Sequence, residues 1–528
     1  MIYLLTDTFM ENKLLSNLMA AFFVFVSISI ALSLLTGFFW RNSFFIAAVS
    51  IALTFLVFKK LKFSVGLSFS KWLVAVIVIF ILFEIYPQIN APGFPLTADA
   101  VTTTVVRTIG DKIPSTYAPY TNLSLYYLFG FHFFGKMITD IIPFVADYTT
   151  LWFLGLLFAA LQFVLIHNIT LEFFKSRNAA DLSAILLLGT RQIIQFTFWG
   201  MGPMLLAIDL FLFSFYLFQK NNKLFVVFFA ANILMHPLIF GMQLVAFLLY
   251  AAINKRLKEL VKPVIAAAIL SPLVFNLYIG NLLTALNKET LIFAPAAGIF
   301  LATALYFGIV PLIFFLSSLC TSLKEKAIKN RQNIFLLSTA LLFSIIYFAF
   351  YLTGSRFFDL LFIPVTLFGV VFASQLASKF KIKSSFYKLA VIFIVLSVLF
   401  TSSEITKIAK GKASIDEYRF GIAFKSFDPN LEKALFISKA GGWIAHVSNK
   451  VPYDLINSNF IVPFASSSDA IWSEVKEMAA TQKQIESGCA DCISKTGVKY
   501  IVVNKKYSNL TLAKDPVFTY GDFVVYLN

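Results

Sequence analysis

Runs of about 20 apolar residues recur through residues 1–403, separated by short connections, and a bilayer core of about 30 Å is what such runs fit. Within lipid every backbone N–H and C=O must be satisfied by the protein itself, so a chain of this kind folds as a bundle of spanning helices. About thirteen spans can be read, near 14–39, 43–58, 71–87, 149–168, 180–198, 203–219, 223–235, 237–253, 261–283, 295–319, 333–353, 357–377 and 386–402. The run 223–235 is short, and His236-Pro237 either separates two spans or kinks one. With 59% hydrophobic residues, 63 Phe, 13% charged residues and a mean hydropathy of +0.82, the chain is not an ordinary soluble domain, in which charged residues make up about a quarter. The first span reads as a signal-anchor, since no cleavable signal peptide is evident.

Charge orients the bundle. Residues 1–403 carry 28 Lys and Arg, and 21 of them fall in alternate connections if the N-terminus is inside: Lys13, Lys59 to Lys71, Lys175 and Arg177, Lys220 and Lys223, Lys255 to Lys262, Lys324 to Arg331 and Lys379 to Lys388. An odd number of spans then puts the C-terminus outside. Segment 120–139 is apolar enough to span, but counting it would place Lys175 and Arg177 outside. It reads instead as an amphipathic or re-entrant segment against the outer face, which extends one long outer loop over 88–148. The net charge of +16 divides into +14 for residues 1–403 and +2 for 404–528, so the basicity belongs to inner loops facing anionic membrane lipids, and no nucleic-acid partner is implied.

From residue 404 the composition becomes ordinary. Residues 434–438 (ALFIS), 499–504 (KYIVVN) and 523–527 (FVVYL) read as strands, and SSSDAIWSEVKEMAATQKQIESG as a Ser-capped helix with Ile471, Val475, Met478, Gln482 and Ile485 on one face. The expected fold is therefore an all-α polytopic membrane domain, 1–403, followed by a small extracytoplasmic α/β domain, 404–528.

Asp99 stands in 88–118, the only long polar interruption of the membrane region. Pro92, Gly93 and Pro95 exclude a regular helix before it, and AVTTTVVRTIG after it can begin one, with Arg107 and Lys112 further along. A carboxylate at the membrane boundary is partly desolvated and so made more basic, which suits a general base. The plainer reading is a helix cap at Asp99 and a snorkelling cation at Arg107.

Several ordered motifs carry a resemblance: the loop Asp after the third span, the aromatic YAPYTNLSLYYLFGFHFFG, FWGMGPMLLAIDLFLFSFYLF, NILMHPLIFG and GSRFFDLLFIPVTLFG. Together they resemble integral-membrane GT-C glycosyltransferases, the prokaryotic and especially archaeal members of the group that includes oligosaccharyltransferase and protein mannosyltransferase catalytic subunits. The resemblance implies a membrane glycosyltransferase with Asp99 as base, a sugar donor on a polyprenyl or dolichyl phosphate, and a protein, lipid or glycan acceptor at the outer face of the cell envelope, as in protein glycosylation. Two departures stand out. Thr103 replaces the His that many relatives place four residues after the Asp, and no WWDYG-like peptide-acceptor motif occurs, which sets the chain apart from a typical oligosaccharyltransferase.

The other candidates each have a second reading. Arg191 lies about 12 Å below the outer end of its span, so it contacts the donor phosphate or pairs with Asp209 at similar depth on the next helix. Arg356, at the outer start of its span, grips a phosphate or anchors at the interface, and Arg107 is a third candidate for the phosphate. Glu84 and His236 line the cavity with Asp209, or are an interfacial residue and a helix-break histidine; His132 and His167 read as interfacial. No His/Asp/Glu cluster has metal spacing, and a divalent cation requirement stays open. Cys489 and Cys492 form a local disulfide or free thiols, and Asn122, Asn168 and Asn509 head sequons. The rival classes are a transporter or flippase for a lipid-linked or small solute, and a non-catalytic GT-C-like subunit; the lack of an internal repeat and the single dominant outer loop weigh against the transporter.

Overall fold

The structure, a computed structural model, describes residues 10–11, 13–37, 39–61, 66–90, 97–112, 130–190, 202–274, 308–325, 330–351, 362–379, 392, 394–395, 415–438, 441–453, 469–508, 510–512 and 514–528. The membrane region contributes helices α1 (Lys13–Gly37), α2 (Ser43–Leu61), α3 (Lys71–Asn90), α4 (Thr97–Thr108), α5 (Gly130–Ile141), α6 (Asp147–Phe174) and α7 (Arg177–Leu188). It continues with α8 (Gly202–Gln219), α9 (Phe225–Met235), α10 (Pro237–Ile253), α11 (Val261–Leu270), α12 (Ile309–Lys324), α13 (Arg331–Tyr351) and α14 (Phe362–Ser374). Among the described helices three are long and apolar enough to cross a membrane, α1, α6 and α8, and six shorter apolar helices accompany them; several of the thirteen expected spans fall wholly or partly outside the described residues.

The centre of the bundle is α8. Every residue from Gly202 to Phe218 is buried, and the helix packs on α6, α9 and α10. Between helices in lipid there is no hydrophobic drive, so shape decides, and here phenylalanines supply it. Phe215 meets Phe247, Tyr250, Phe335 and Phe368 at 5.1 to 5.5 Å between centroids, edge-on to three and stacked on Phe335. Each such contact is worth about 0.5–1.5 kcal/mol beyond its area.

Local chemistry ends the helices. Proline cannot donate and disfavours helical backbone in the residue before it, so His236 is extended (φ −158°, ψ 110°), α9 stops and Pro237 opens α10. His236-Pro237 thus separates two helices. Across that break, Asn232 donates to Gln243 Oε1 and Gln243 to the Phe229 carbonyl (3.2 Å). Ser176 caps α7 by accepting from the Ala179 amide (3.3 Å).

Helix α5 covers the described part of the segment expected to be amphipathic or re-entrant. Its first half, Gly130 to Phe134, is buried between α1, α2, α6 and α8, while 113–129 lie outside the described residues. Glycine makes this close approach possible: a Cβ at Gly130 would lie 2.6 Å from Met235 Sδ, and one at Gly202 would run into the Phe131 ring. His132 is carried inside with α5 and is fully buried. His167 is also buried, because Asp181 of α7 accepts at 3.2 Å and Ser70 shares the same carboxylate oxygen. Asn168 is buried too, bonded to the Ser68 backbone at 2.7 and 3.1 Å, which leaves no room for a glycan.

The described residues of 415–528 include a five-stranded sheet in the order β4-β3-β5-β7-β6, numbering β3 Glu432–Ile437, β4 Lys450–Pro452, β5 Tyr500–Asn504, β6 Phe518–Tyr520 and β7 Phe523–Leu527; earlier in the chain, two-residue strands β1 (Met10–Glu11) and β2 (Ser68–Phe69) pair the residues before α1 with those between α2 and α3. Strands β3, β4 and β5 run parallel and β7 and β6 antiparallel. Alternation sorts the faces: Ala434, Phe436, Tyr500, Val502, Phe523 and Val525 face α15 (Ile415–Phe427) and α16 (Gly441–Val447), continuous with the core of the bundle. Leu435, Ile437, Ile501, Val503, Val524 and Tyr526 form the other core, with Ile485 and Met478 of α17 (Asp469–Glu486).

Candidate active site

The described residues between α3 and α5 form α4 and the short turn after it. Asp99 occupies its first turn, one helical turn before Thr103; the Asp99 side chain is outside the described set, whereas Thr102, Thr103, Val105 and Val106 are buried against α5 and α6. In the last turn, Arg107 forms a two-pronged ion pair with Asp147, the first residue of α6, through Nε and through Nη2 (3.0 Å to Oδ1). Asp147 Oδ1 also accepts from the Tyr148 amide (2.8 Å), and an acid at a helix N-terminus is favoured by the helix dipole.

The end of α4 has a second anchor. Arg41, in the turn between α1 and α2, donates its backbone amide to the Asp111 carbonyl (2.7 Å) and Nε to the Gly110 carbonyl (3.1 Å). Its guanidinium is buried beside Ser43 and Asp140, and Ser43 Oγ donates to Asp140 Oδ2 at 2.6 Å. Burial pulls the Arg41 pKa below its ordinary value, partly opposed by Asp140 and Asp111.

The sheet domain closes over the same helix. Helix α16 packs directly on α4, and Tyr418 of α15 meets Tyr148 of α6, hydroxyl to hydroxyl, at 3.4 Å. In this domain Lys450 is fully buried, donating to the carbonyls of Asp428 and Asn430 at 2.6 Å each. Burial opposes ionisation of Asp428, but the Tyr500 hydroxyl (2.7 Å), the Asn430 amide and Lys450 and Lys499 outweigh it and hold its pKa at about 2. Cys489 and Cys492 are joined as a disulfide.

The remaining sequence candidates belong to other elements. Glu84 and Asp209 are fully buried, on α3 and α8, and His236 is buried at the α9–α10 break. Both carboxylate oxygens of Asp209 lack a hydrogen-bond partner among the described residues. Arg191 and Arg356, like Asn122 and Asn509, lie outside the described residues. Among the described residues no three His, Cys, Asp or Glu side chains gather as a metal site. Sequence reasoning missed Asp147, Arg41 and Tyr418, whose roles come from partners far away along the chain.

No protein-family model and no curated protein matches the chain. Among solved structures it is similar to ArnT from Cupriavidus metallidurans bound to undecaprenyl phosphate, at 12% identity and a TM-score of 0.54, over 86% of this chain and 97% of that one. It is also similar to the archaeal oligosaccharyltransferase AglB from Archaeoglobus fulgidus in complex with an inhibitory peptide and a dolichol-phosphate, at 14% identity and a TM-score of 0.46, over 85% of this chain and 70% of that one. The likeness to ArnT covers most of both chains, and the chain is a membrane protein with the GT-C fold that its ordered motifs resemble.

Proposed function

We propose that the protein is a membrane glycosyltransferase that moves a sugar from a polyprenyl- or dolichyl-phosphate donor to an acceptor on the outer face of the membrane. The observation that carries this reading is the fold shared, over 86% of this chain, with a structure bound to undecaprenyl phosphate, combined with a helix that bears a carboxylate in its first turn and lies between bundle and sheet domain. Asp99 is the general base. It takes the proton from the acceptor hydroxyl as the acceptor oxygen bonds to the anomeric carbon and the lipid phosphate leaves with the bonding electrons. Arg356 and Arg191 hold the donor phosphate, and Glu84, His236 and Asp209 line the cavity. The N-terminus is cytoplasmic, and 88–148 and 404–528 are extracytoplasmic, which agrees with the Cys489–Cys492 disulfide.

The test is to incubate the purified full-length protein with a panel of radiolabelled polyprenyl- and dolichyl-phosphate sugars and candidate acceptors, beside Asp99→Asn. Label moving to an acceptor only with intact Asp99 supports the reading. Binding of the lipid phosphates with no transfer for any member of the panel favours the non-catalytic subunit.

A further inference from the structure

We propose that the Arg107–Asp147 ion pair is the clamp that sets the position of Asp99, with Arg107 a positioning residue and not a ligand of the donor. The inference rests on Asp99 being the base. It starts from α4, a helix only twelve residues long with the base at one end and its charged anchor at the other. Asp99 and Arg107 are eight positions apart, about 12 Å along the axis, so a tilt of about 5° at the anchor displaces the base by about 1 Å, and such a displacement costs about 10²-fold in rate.

The pair has the chemistry of a clamp. A guanidinium fork on a carboxylate fixes direction as well as distance, which a single charge contact does not. Asp147 is in turn rigid: it opens α6, which packs on α3, α4, α5, α7 and α8, and its Oδ1 is held by the Tyr148 amide. The clamp therefore refers α4 to the centre of the bundle. Arg41 holds the carbonyls of Gly110 and Asp111 independently, and α16 covers α4 from the sheet domain, so loss of Arg107 frees the helix to tilt without releasing it.

Three measurements on the intact protein test this. In Arg107→Gln, hydrogen exchange of the amides in 97–108 should rise about tenfold or more, while affinity for undecaprenyl phosphate, used as the probe, stays within about twofold. With a donor that supports transfer, kcat should fall by about 10²-fold with donor KM nearly unchanged; Arg107→Lys should recover part of kcat, and Asp147→Asn should match Arg107→Gln, the double variant being no worse than either. If Arg107→Gln instead weakens undecaprenyl phosphate binding about tenfold with α4 still protected, Arg107 is a donor ligand and the clamp is wrong. Additive losses for the two residues overturn it as well. Asp99→Asn alone separates the two ideas: near-normal turnover removes the base assignment, whereas an inactive Asp99→Asn beside a normal Arg107→Gln removes only the clamp.

Discussion

Replacing Asp428 by Asn should weaken the sheet domain and abolish part of its acid sensitivity. Asp428 receives the Tyr500 hydroxyl at 2.7 Å and the Asn430 amide at 3.0 Å, with Lys499 at 3.4 Å and the buried Lys450 at 3.8 Å. Its folded pKa is about 2, against about 3.9 unfolded, a gap of nearly two units that corresponds to at most about 2.6 kcal/mol. Because the folded value is the lower, that stabilisation is fully present above the unfolded pKa and is lost as pH falls from about 5 towards 2. The variant should therefore be about 1–2 kcal/mol weaker at pH 7 and flatter through the acid range, the lower figure applying because Lys450 keeps its two carbonyl bonds. Hydrogen-exchange mass spectrometry of the full-length protein, read on 432–437 and 500–504 and corrected for intrinsic exchange at each pH, measures both. Equal protection of variant and wild type at pH 7, or the same acid slope in both, would refute the reasoning.

Single cysteines introduced into a Cys320-free background at Lys112 and Lys505 should react with an impermeant thiol reagent in intact cells, and one at Asn330 should not; labelling at Asn330 alone would invert the orientation. Asn330 is exposed, whereas Ser322 nearby is buried against Gln375 and would stay silent on either side. If Arg191 serves the donor phosphate, its substitution and that of Asp209 should act additively on stability, to within about 0.5 kcal/mol in a double-mutant cycle, and strong coupling would make them a structural pair. Asp99→Asn should lower turnover by about 10²–10⁴ with lipid-phosphate binding kept, and Arg356→Ala should weaken that binding first. Near-normal turnover in folded Asp99→Asn would remove the base.

What the sequence made legible follows from how local the cause is. Apolar length alone located Lys71–Asn90 and Gly202–Gln219, and the fixed backbone of Pro237 marked the break after Met235. Period-two alternation located β3, β5 and β7, while β4 and β6, three residues each and partly polar, gave no such pattern. Burial of α5 was not legible, because it depends on Gly130 and Gly202 meeting Met235 and Phe131 across the bundle. The same limit applies to the site. Asp99 stood out as an isolated carboxylate in a polar loop, but the partner of Arg107 is 40 positions away and that of Tyr418 is 270 positions away, distances over which no periodicity speaks.

Asp99 in the first turn of α4 has two chemically distinct uses, and they make opposite demands on the side chain. A carboxylate that caps a helix is replaced by Asn at little cost, since the amide oxygen accepts the same N–H bond. A general base is not, since the amide has no useful affinity for a proton. The architecture around α4 bears on which use applies: a cap needs nothing from the far end of its helix, yet that end is fixed by a guanidinium fork to α6 and by Arg41 to the α1–α2 turn, and α16 of a second domain packs on the helix. Three attachments to three different elements restrain the orientation of a short helix, and orientation would matter to a base that had to meet both an acceptor hydroxyl and an anomeric carbon. Unchanged stability with lost turnover in Asp99→Asn is the signature of that second use, and loss of turnover in Arg107→Gln with Asp99 intact extends it to the helix as a whole.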